Sequence, residues 1–236
     1  MEPLLLAWFE EHRRDLPWRR RRDPYAVLVS EVMLQQTQVA RVVPRFEAWL
    51  ERWPTVEALA ATGLDEVILA WQGLGYNRRA VNLHRTAQIV TAGGWPTDLT
   101  ELPGVGQYTA DAIRRFSFGE DILPRDTNVL RVIERTGAEF GPAATEALMD
   151  LGREVCVARV PRCGTCPLAV RCPSRGRTYE PLRKQSRFEG SFRQRRAETL
   201  RRVASGETQA LDRAAVAALA RDGLVQVQGD LVALPK

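Results

Sequence analysis

All four cysteines of this 236-residue chain lie within one stretch of seventeen residues. Cys156, Cys163, Cys166 and Cys172 follow the spacing C-x6-C-x2-C-x5-C. We expect no disulfide framework, because the chain is long and no signal-peptide pattern is found in it, so the cluster predicts a metal centre. Structural zinc favours two short C-x2-4-C pairs, and only Cys163 and Cys166 have that spacing. Iron–sulfur clusters accept more varied spacing, so the spacing by itself leaves both an iron–sulfur cluster and zinc open.

The formal net charge is +5, but the positive charge is unevenly distributed. From Cys156 to Arg202 there are thirteen Arg or Lys against three Glu, and Arg19 to Arg22 form a second basic run. Basic runs are most often solvated faces, but beside a metal loop they favour a polyanionic partner such as nucleic acid. No apolar run approaches the length of a membrane span, so we expect no membrane partner.

The chain contains only two lysines, Lys184 and Lys236, and both follow the cysteines. Arginine cannot act as a Schiff-base nucleophile at neutral pH. A mechanism that needs a buried catalytic lysine in the first 180 residues is therefore excluded. The two histidines, His12 and His84, are far apart and match no zinc-ligand or triad pattern.

Apolar residues recur at helical spacing through the first 176 residues, interrupted by Gly, Pro, Asp or Thr. The pattern predicts an all-α array of short helices at 4–12, 24–36, 39–53, 56–61, 65–72, 78–92, 108–116, 128–135 and 144–157. The polar stretch 175–193 predicts a linker. Two helices at 194–204 and 213–221 and strands at 224–227 and 231–234 favour a winged-helix-like module over a helical appendage with a frayed end.

A glycine-containing turn, Leu102-Pro103-Gly104-Val105-Gly106, joins two predicted helices. Gly104 and Gly106 permit positive φ and a close approach of another backbone. The helix that follows presents free N–H groups and the positive end of its dipole, which together can bind a phosphate. Any tight helix–helix turn could use the same sequence, so the motif alone is weak.

Glu31 is the only charged residue between Pro24 and Gln36. Its helical neighbours are mostly apolar, which predicts a carboxyl with a raised pKa, as a general acid requires. The alternative is that Glu31 caps a neighbouring helix or pairs with an arginine.

Several motifs occur together and in a characteristic order. They are the segment Ser30–Val39, Arg14–Arg19, Gly73–Tyr76, the 102–106 turn followed by Gly119, Pro124 and Asp126, Ala147–Gly152, and the cysteine spacing. From about residue 4 to residue 200 they resemble the MutY-type adenine DNA glycosylases of the helix-hairpin-helix/Gly-Pro-Asp, or endonuclease III-like, superfamily. The resemblance implies a two-lobed all-α fold. It places a six-helix domain at 23–126, a [4Fe–4S] cluster domain at 1–22 and 127–176, and a basic linker with a small module at 177–236.

The resemblance also implies roles for individual residues in monofunctional base excision. Glu31 would protonate the adenine leaving group, Asp126 would stabilise the oxocarbenium-like sugar, and Tyr108 and Asn128 would assist around the sugar and the water. Tyr108 stands where bifunctional relatives carry their Schiff-base lysine, in agreement with the lysine content. The implied cluster ligands are the four cysteines. The implied DNA contacts are Gln36, Thr37, Leu74, Asn77, Gly104, Gly106, Glu146, Arg159 and Arg162.

Asn77 departs from the family, which carries a second tyrosine there. About sixty residues stand in place of the family's long C-terminal 8-oxoguanine domain, so we expect opposite-base recognition to come from the core around Gln36, Thr37 and Leu74, and the tail to bind phosphates. The expected partner is double-stranded DNA with a mismatched or damaged pair, bound by a monomer in a cytoplasmic, nucleoid-associated location.

Two other functions compete with removal of adenine opposite 8-oxoguanine or guanine. A mismatch thymine or uracil glycosylase would share the chemistry, but such relatives tend to carry arginines where this chain has Gln35 and Gln36. A non-catalytic iron–sulfur protein that binds DNA or senses redox state is disfavoured, because Glu31, Tyr108 and Asp126 occur together with Asn128.

Overall fold

The computed structural model describes residues 1–180 and 187–236, so Lys184 and part of the predicted linker lie outside the described residues. Within these ranges the chain forms eleven α-helices and a two-stranded antiparallel sheet. They are α1 (Glu2–His12), α2 (Pro24–Leu34), α3 (Val39–Arg52), α4 (Val56–Ala60), α5 (Leu64–Trp71), α6 (Arg78–Gly93), α7 (Gln107–Phe116), α8 (Thr127–Thr136), α9 (Thr145–Glu154), α10 (Phe192–Ala204), α11 (Arg213–Arg221), β1 (Gln226–Gln228) and β2 (Leu231–Ala233). The all-α prediction is confirmed, and each predicted helix forms with ends that differ by at most three residues. No helix of the described ranges is long and apolar enough to cross a membrane.

Side-chain caps fix where several of these helices begin. The Asp23 carboxylate accepts the N–H of Ala26 at 2.8 Å, and Pro24 occupies the first helical position of α2. Asp212 accepts the N–H of Ala215 at 3.0 Å at the start of α11. A side-chain oxygen at this position satisfies an N–H that has no partner inside the helix. The sequence therefore determines the helix starts locally.

The chain groups into two compact units. The first comprises Met1–Val27 and the described part of Gln107–Lys184, and the second comprises Leu28–Gly106 and the described part of Gln185–Lys236. The predicted domains, with boundaries after residues 22, 126 and 176, divide the chain at other points and stay a prediction.

The first unit is built on helices α1, α8 and α9. Their apolar faces share a core that includes Leu5, Val132 and Leu148, each fully buried. Leu168, from the segment between the cysteines, is buried in the same core. Burial of each such side chain contributes about 1.5–3 kcal/mol. This core therefore fixes the start of α8 and the cysteine segment relative to each other.

The second unit includes the C-terminal helices and hairpin. Leu200, Leu219 and Val232 from this segment share a buried core with Ile68 of α5 and Val81 of α6. The predicted order of two helices followed by a hairpin is confirmed. The segment packs on α5 and α6, so its apolar core is not independent of the helical array.

We expect Leu219→Ala to lower the free energy of unfolding by about 2–5 kcal/mol, because it removes a buried side chain from this shared core. Urea denaturation checks the result. Val227→Ala, at a position that is 50% exposed on the same hairpin, is the control and should have little effect. Equal losses in both variants would contradict the shared core.

Candidate active site and cysteine centre

Glu31 lies in α2, which is buried on nearly every side. Val29 and Met33 are fully buried and Val32 is 4% exposed. Glu31 itself is 9% exposed. The prediction of a carboxyl on a largely apolar helix is therefore confirmed. Its role as a general acid stays a prediction.

One short loop, residues 35–38, follows α2, and a second, residues 72–77, precedes α6. Gln36 is exposed and has a left-handed backbone with φ 54°, and the Thr37 hydroxyl donates to the carbonyl of Gln35 at 3.2 Å. In the second loop Tyr76 is also left-handed, with φ 46°, and is 44% exposed. Leu74 is buried, with 3% exposure, and so does not lie at the surface. The DNA contact predicted for it stays a prediction.

Tyr76 is not among the residues predicted from the sequence to contact DNA. Its signal was an aromatic residue directly after Gly75, where a flexible backbone can leave a ring at the surface. Asn77, which was selected, is half-buried and precedes the first residue of α6.

The turn 102–106 has the expected close approach at one glycine. Gly104 has φ 79°, and a Cβ there would lie 2.9 Å from the side-chain nitrogen of Asn82. The Thr86 hydroxyl donates to the carbonyl of Pro103 at 3.1 Å and helps to fix the turn. Gly106 has neither property, because its φ is outside the left-handed region and a Cβ would meet no atom within 4 Å. Both glycines are exposed immediately before α7 begins.

Asp126 is the N-cap of α8, and its carboxylate is fixed by three hydrogen bonds. One oxygen accepts the backbone N–H groups of Asn128 and Val129 at 2.8 and 2.7 Å, and the other accepts the Asn128 side-chain amide at 2.7 Å. The structure therefore brings two of the predicted catalytic residues into contact. Tyr108 lies half-buried on α7 in the same unit, whereas Glu31 lies in the second unit.

Asn128 is held in turn by Arg131. The Arg131 guanidinium donates to the Asn128 amide oxygen at 2.7 Å and to the carbonyls of Gly152 and Cys156 at 2.6 and 2.7 Å. Burial lowers the pKa of Arg131, while the nearby Cys156 opposes this shift. A Cβ at Gly152 would lie 2.8 Å from the Asn128 Cβ, so glycine is required for α8 and α9 to approach this closely.

The four cysteines line one cavity. None of the four forms a disulfide. Burial raises the pKa of the Cys166 thiol, and the charges of the other three cysteines raise it further. In residues 1–180 and 187–236 no three His, Cys, Asp or Glu side chains converge closely enough to hold a single metal ion.

Arg135 fixes the segment after the first cysteine. It is 6% exposed and donates to the carbonyls of Val157 and Ala158 at 2.8 and 2.6 Å and to the Cys156 sulfur at 3.5 Å. The Tyr179 ring stacks on its guanidinium at 3.7 Å. Arg135 thus joins the backbone on both sides of Ala158 to the sulfur of the first cysteine.

The remaining predicted contacts differ in their surroundings. Arg159 and Arg162 are exposed on the cysteine segment. Glu146 lies half-buried on α9 and forms ion pairs with Arg22 at 3.1 Å and with Arg19 at 3.5 Å. These pairs give Glu146 a role in holding the N-terminal segment, and its predicted base contact stays a prediction.

Comparison with known proteins agrees with this arrangement. Residues 29–156 match the HhH-GPD superfamily of base excision DNA repair proteins. The chain belongs to this superfamily. Adenine DNA glycosylase from Mycolicibacterium smegmatis is 42% identical over 83% of this chain and 78% of the relative. The human adenine DNA glycosylase is 38% identical over 79% of this chain and 42% of the relative.

Two solved structures share the fold. A thermostable thymine-DNA glycosylase superposes with a TM-score of 0.66 at 26% identity and covers 73% of this chain and 93% of its own. A trapped endonuclease III–DNA complex gives a TM-score of 0.61 at 24% identity over 72% of this chain and 91% of its own, which supports the fold alone. The predicted helix-hairpin-helix glycosylase fold is confirmed.

The hydrogen bonds of the Asp126 cap should make a measurable contribution to the stability of the protein. We expect Asp126→Ala to lower the free energy of unfolding by about 1 kcal/mol, because the N–H groups of Asn128 and Val129 lose their acceptor. Asp126→Asn should lose less than about half of that, since asparagine caps helices as well as aspartate does. Urea denaturation measures both, with Asp121→Ala on the preceding exposed loop as the control. Equal losses in the alanine and asparagine variants would show that capping is not the stabilising contact.

Proposed function

We propose that this protein is a monofunctional DNA glycosylase that removes adenine mispaired with 8-oxoguanine or guanine. The observation that carries the proposal is the fixed Asp126 carboxylate beside Asn128, in a chain of the HhH-GPD superfamily with close similarity to adenine DNA glycosylases. The buried carboxyl of Glu31 supplies the second group that the reaction needs.

The chemistry divides between the two carboxyl groups. A base inside the duplex must first be flipped into a pocket, at a cost of a few kcal/mol. Glu31 then donates a proton to the adenine as its N-glycosidic bond breaks, which makes the purine a better leaving group. The positive charge left on the sugar is stabilised by Asp126. Because three hydrogen bonds already orient that carboxylate, it needs no reorganisation when the charge develops. A water then adds to the sugar carbon and gives up a proton to the Glu31 carboxylate, which restores the acid and completes hydrolysis.

Double-stranded DNA is the partner in this proposal. The exposed glycines of the 102–106 turn and the first N–H groups of α7 suit a phosphate, and exposed Arg159 and Arg162 add positive charge on the cysteine segment. Exposed Gln36 and Tyr76 suit contacts with bases. The monomeric state and the cytoplasmic, nucleoid-associated location stay predictions.

A [4Fe–4S] cluster is proposed as the resident cofactor. The residues fit it, because four thiols free of disulfides line one cavity, which is the donor set that such clusters take. Cys156, Cys163, Cys166 and Cys172 would hold the cluster, and Arg135 would offset negative charge at Cys156. The cluster would cross-link the segment that carries exposed Arg159 and Arg162.

Thymine removal is the second candidate, favoured by the structural similarity to a thymine-DNA glycosylase. Single-turnover assays on duplexes with A·8-oxoguanine, A·G, T·G and U·G pairs separate the two activities. Release of thymine or uracil but not adenine would replace the first proposal with the second.

We expect Glu31→Gln and Asp126→Asn each to slow adenine release by on the order of 100- to 10,000-fold, because each removes an acid–base or charge-stabilising group. Duplex affinity, measured by fluorescence anisotropy, should stay unchanged. Glu47→Gln and Glu134→Gln, at exposed positions on α3 and α8, are matched controls that should retain the wild-type rate. Substantial activity in Asp126→Asn would remove its assigned role.

The same assay tests the absence of a lyase step. Strand cleavage should require added alkali, because no lysine precedes residue 184 to form an imine. Borohydride trapping of a wild-type enzyme–DNA adduct would contradict this part of the proposal.

The cofactor has its own test. Protein purified anaerobically should contain about four iron atoms per chain and absorb visible light. Cys166→Ser should lower the iron content and weaken binding to matched and mismatched duplexes alike, since the arginine segment loses its cross-link. Ser174→Ala, on the wall of the same cavity, is the control that should retain iron. Stoichiometric zinc without iron would contradict the assignment.

A further inference from the structure

Arg79 is a buried arginine whose guanidinium joins two loops of the second unit. Its side chain lies at the first turn of α6, and the residue is only 8% exposed. The guanidinium donates to seven oxygens. Four belong to residues 32–37, at and after the end of α2, and three belong to residues 74–76, before α6. The distances are 2.6 Å to the carbonyl of Val32, 3.1 Å to Met33, 2.7 Å to Gln35, 3.2 Å to Leu74, 2.9 Å to Gly75 and 3.3 Å to Tyr76, and 3.1 Å to the hydroxyl of Thr37.

These contacts satisfy groups that the helices cannot satisfy themselves. The last carbonyls of an α-helix have no intrahelical donor. Two of the Arg79 acceptors, Val32 and Met33, lie in the last turn of α2, and a third, Gln35, directly follows it. Three further acceptors are the successive carbonyls of residues 74–76. One planar group therefore fixes the spacing between the two loops. Removal of the group would take this donor from the carbonyls of Val32 and Met33 and would break the direct link between the two loops. The carbonyls of Gly75 and Tyr76 would keep the Trp71 indole N–H and the Arg79 backbone N–H as donors.

The same two loops carry unusual backbone conformations. In the described part of the chain, the only non-glycine residues with positive φ are Gln36, Tyr76 and Ala210. Gln36 and Tyr76 are next to carbonyls that Arg79 binds. A left-handed backbone is unfavourable for residues with a Cβ and persists where surrounding contacts hold it. Both residues are exposed.

Arginine is specifically suited to this position. The rings of Trp71 and Tyr76 lie 5.2 and 5.7 Å from the guanidinium carbon. Burial lowers the pKa of Arg79 to about 10, so it remains charged at neutral pH. A lysine ammonium has three donors at one point, so it cannot reach acceptors of both loops as the donors around the edge of the planar guanidinium do.

We propose that Arg79 is a positioning residue that holds Gln36 and Tyr76 in the arrangement that probes and opens the target base pair. This inference rests on the proposed glycosylase function. Arg79 acts through the two loops and touches neither the leaving base nor the sugar. Its loss should therefore impair base-pair opening more than attachment to DNA.

Arg79→Lys and Arg79→Gln test the inference, with Val90→Ala as a control. Val90 is buried near the other end of α6, and its truncation lowers stability without contact to either loop. All variants are compared at a temperature at which each is fully folded. Amide hydrogen exchange of the protein without DNA should increase at residues 35–37 and 74–76 in both Arg79 variants and stay unchanged there in Val90→Ala.

The functional measurements use a duplex with adenine, or the fluorescent base 2-aminopurine, opposite 8-oxoguanine. We expect Arg79→Lys to lower the single-turnover rate by on the order of 100-fold, as misplacement of a positioning group can. It should also reduce the 2-aminopurine fluorescence increase, while affinity for a matched duplex stays unchanged. Val90→Ala should retain both signals.

Two results would overturn the inference. One is a wild-type exchange pattern and rate in Arg79→Lys, and the other is an equal loss of both signals in Val90→Ala. If wild type removes no adenine from any duplex, the proposed function fails. Amide hydrogen exchange of the two loops then tests the positioning role of Arg79 separately, because that measurement needs no substrate.

Discussion

Buried and half-buried arginine side chains that donate to backbone carbonyls are the interaction on which this structure depends. Arg79 holds the two loops around α2 and α6, and Arg131 and Arg135 hold the backbone before and after Cys156. Each guanidinium carries five N–H donors in a rigid plane, so it can satisfy several carbonyls that face it from different segments. A carbonyl left without a donor in these buried places would cost about 1–3 kcal/mol. The arginines therefore fix loops that have no regular secondary structure.

The first unit shows how this constraint serves chemistry. Asp126 caps α8, Asn128 binds Asp126, and Arg131 binds Asn128 and the carbonyl of Cys156. Gly152 allows the two helices that carry these groups to approach closely. The carboxylate and the cysteine segment are thus parts of one hydrogen-bonded arrangement, and the apolar core around Leu148 keeps that arrangement in place.

The C-terminal segment is tied to the second unit by apolar burial and by charge. Asp222 pairs with Arg78 at the start of α6 and with Arg196 of α10, and Leu219 and Val232 share a core with α5 and α6. Arg195 and Arg202 of α10 also pair with acids of the same segment. Arg195, Arg196 and Arg202, which belong to the basic stretch that the sequence had suggested for phosphates, are thus paired with acids of the protein. The C-terminal segment therefore also supports α6, which follows the loop of Tyr76.

The sequence by itself determined the helices, their caps, the four-cysteine centre, the 102–106 turn and the isolated carboxyl of Glu31, because these depend on local spacing and residue chemistry. It also carried the family resemblance, since motif order is a property of the chain. Only the tertiary structure decided that Leu74 is buried while Tyr76 is exposed, that Glu146 pairs with Arg19 and Arg22, and that Arg79 joins two loops. Those facts depend on contacts between residues far apart in the sequence, such as Arg79 and Val32, which no periodic pattern of apolar and polar residues encodes.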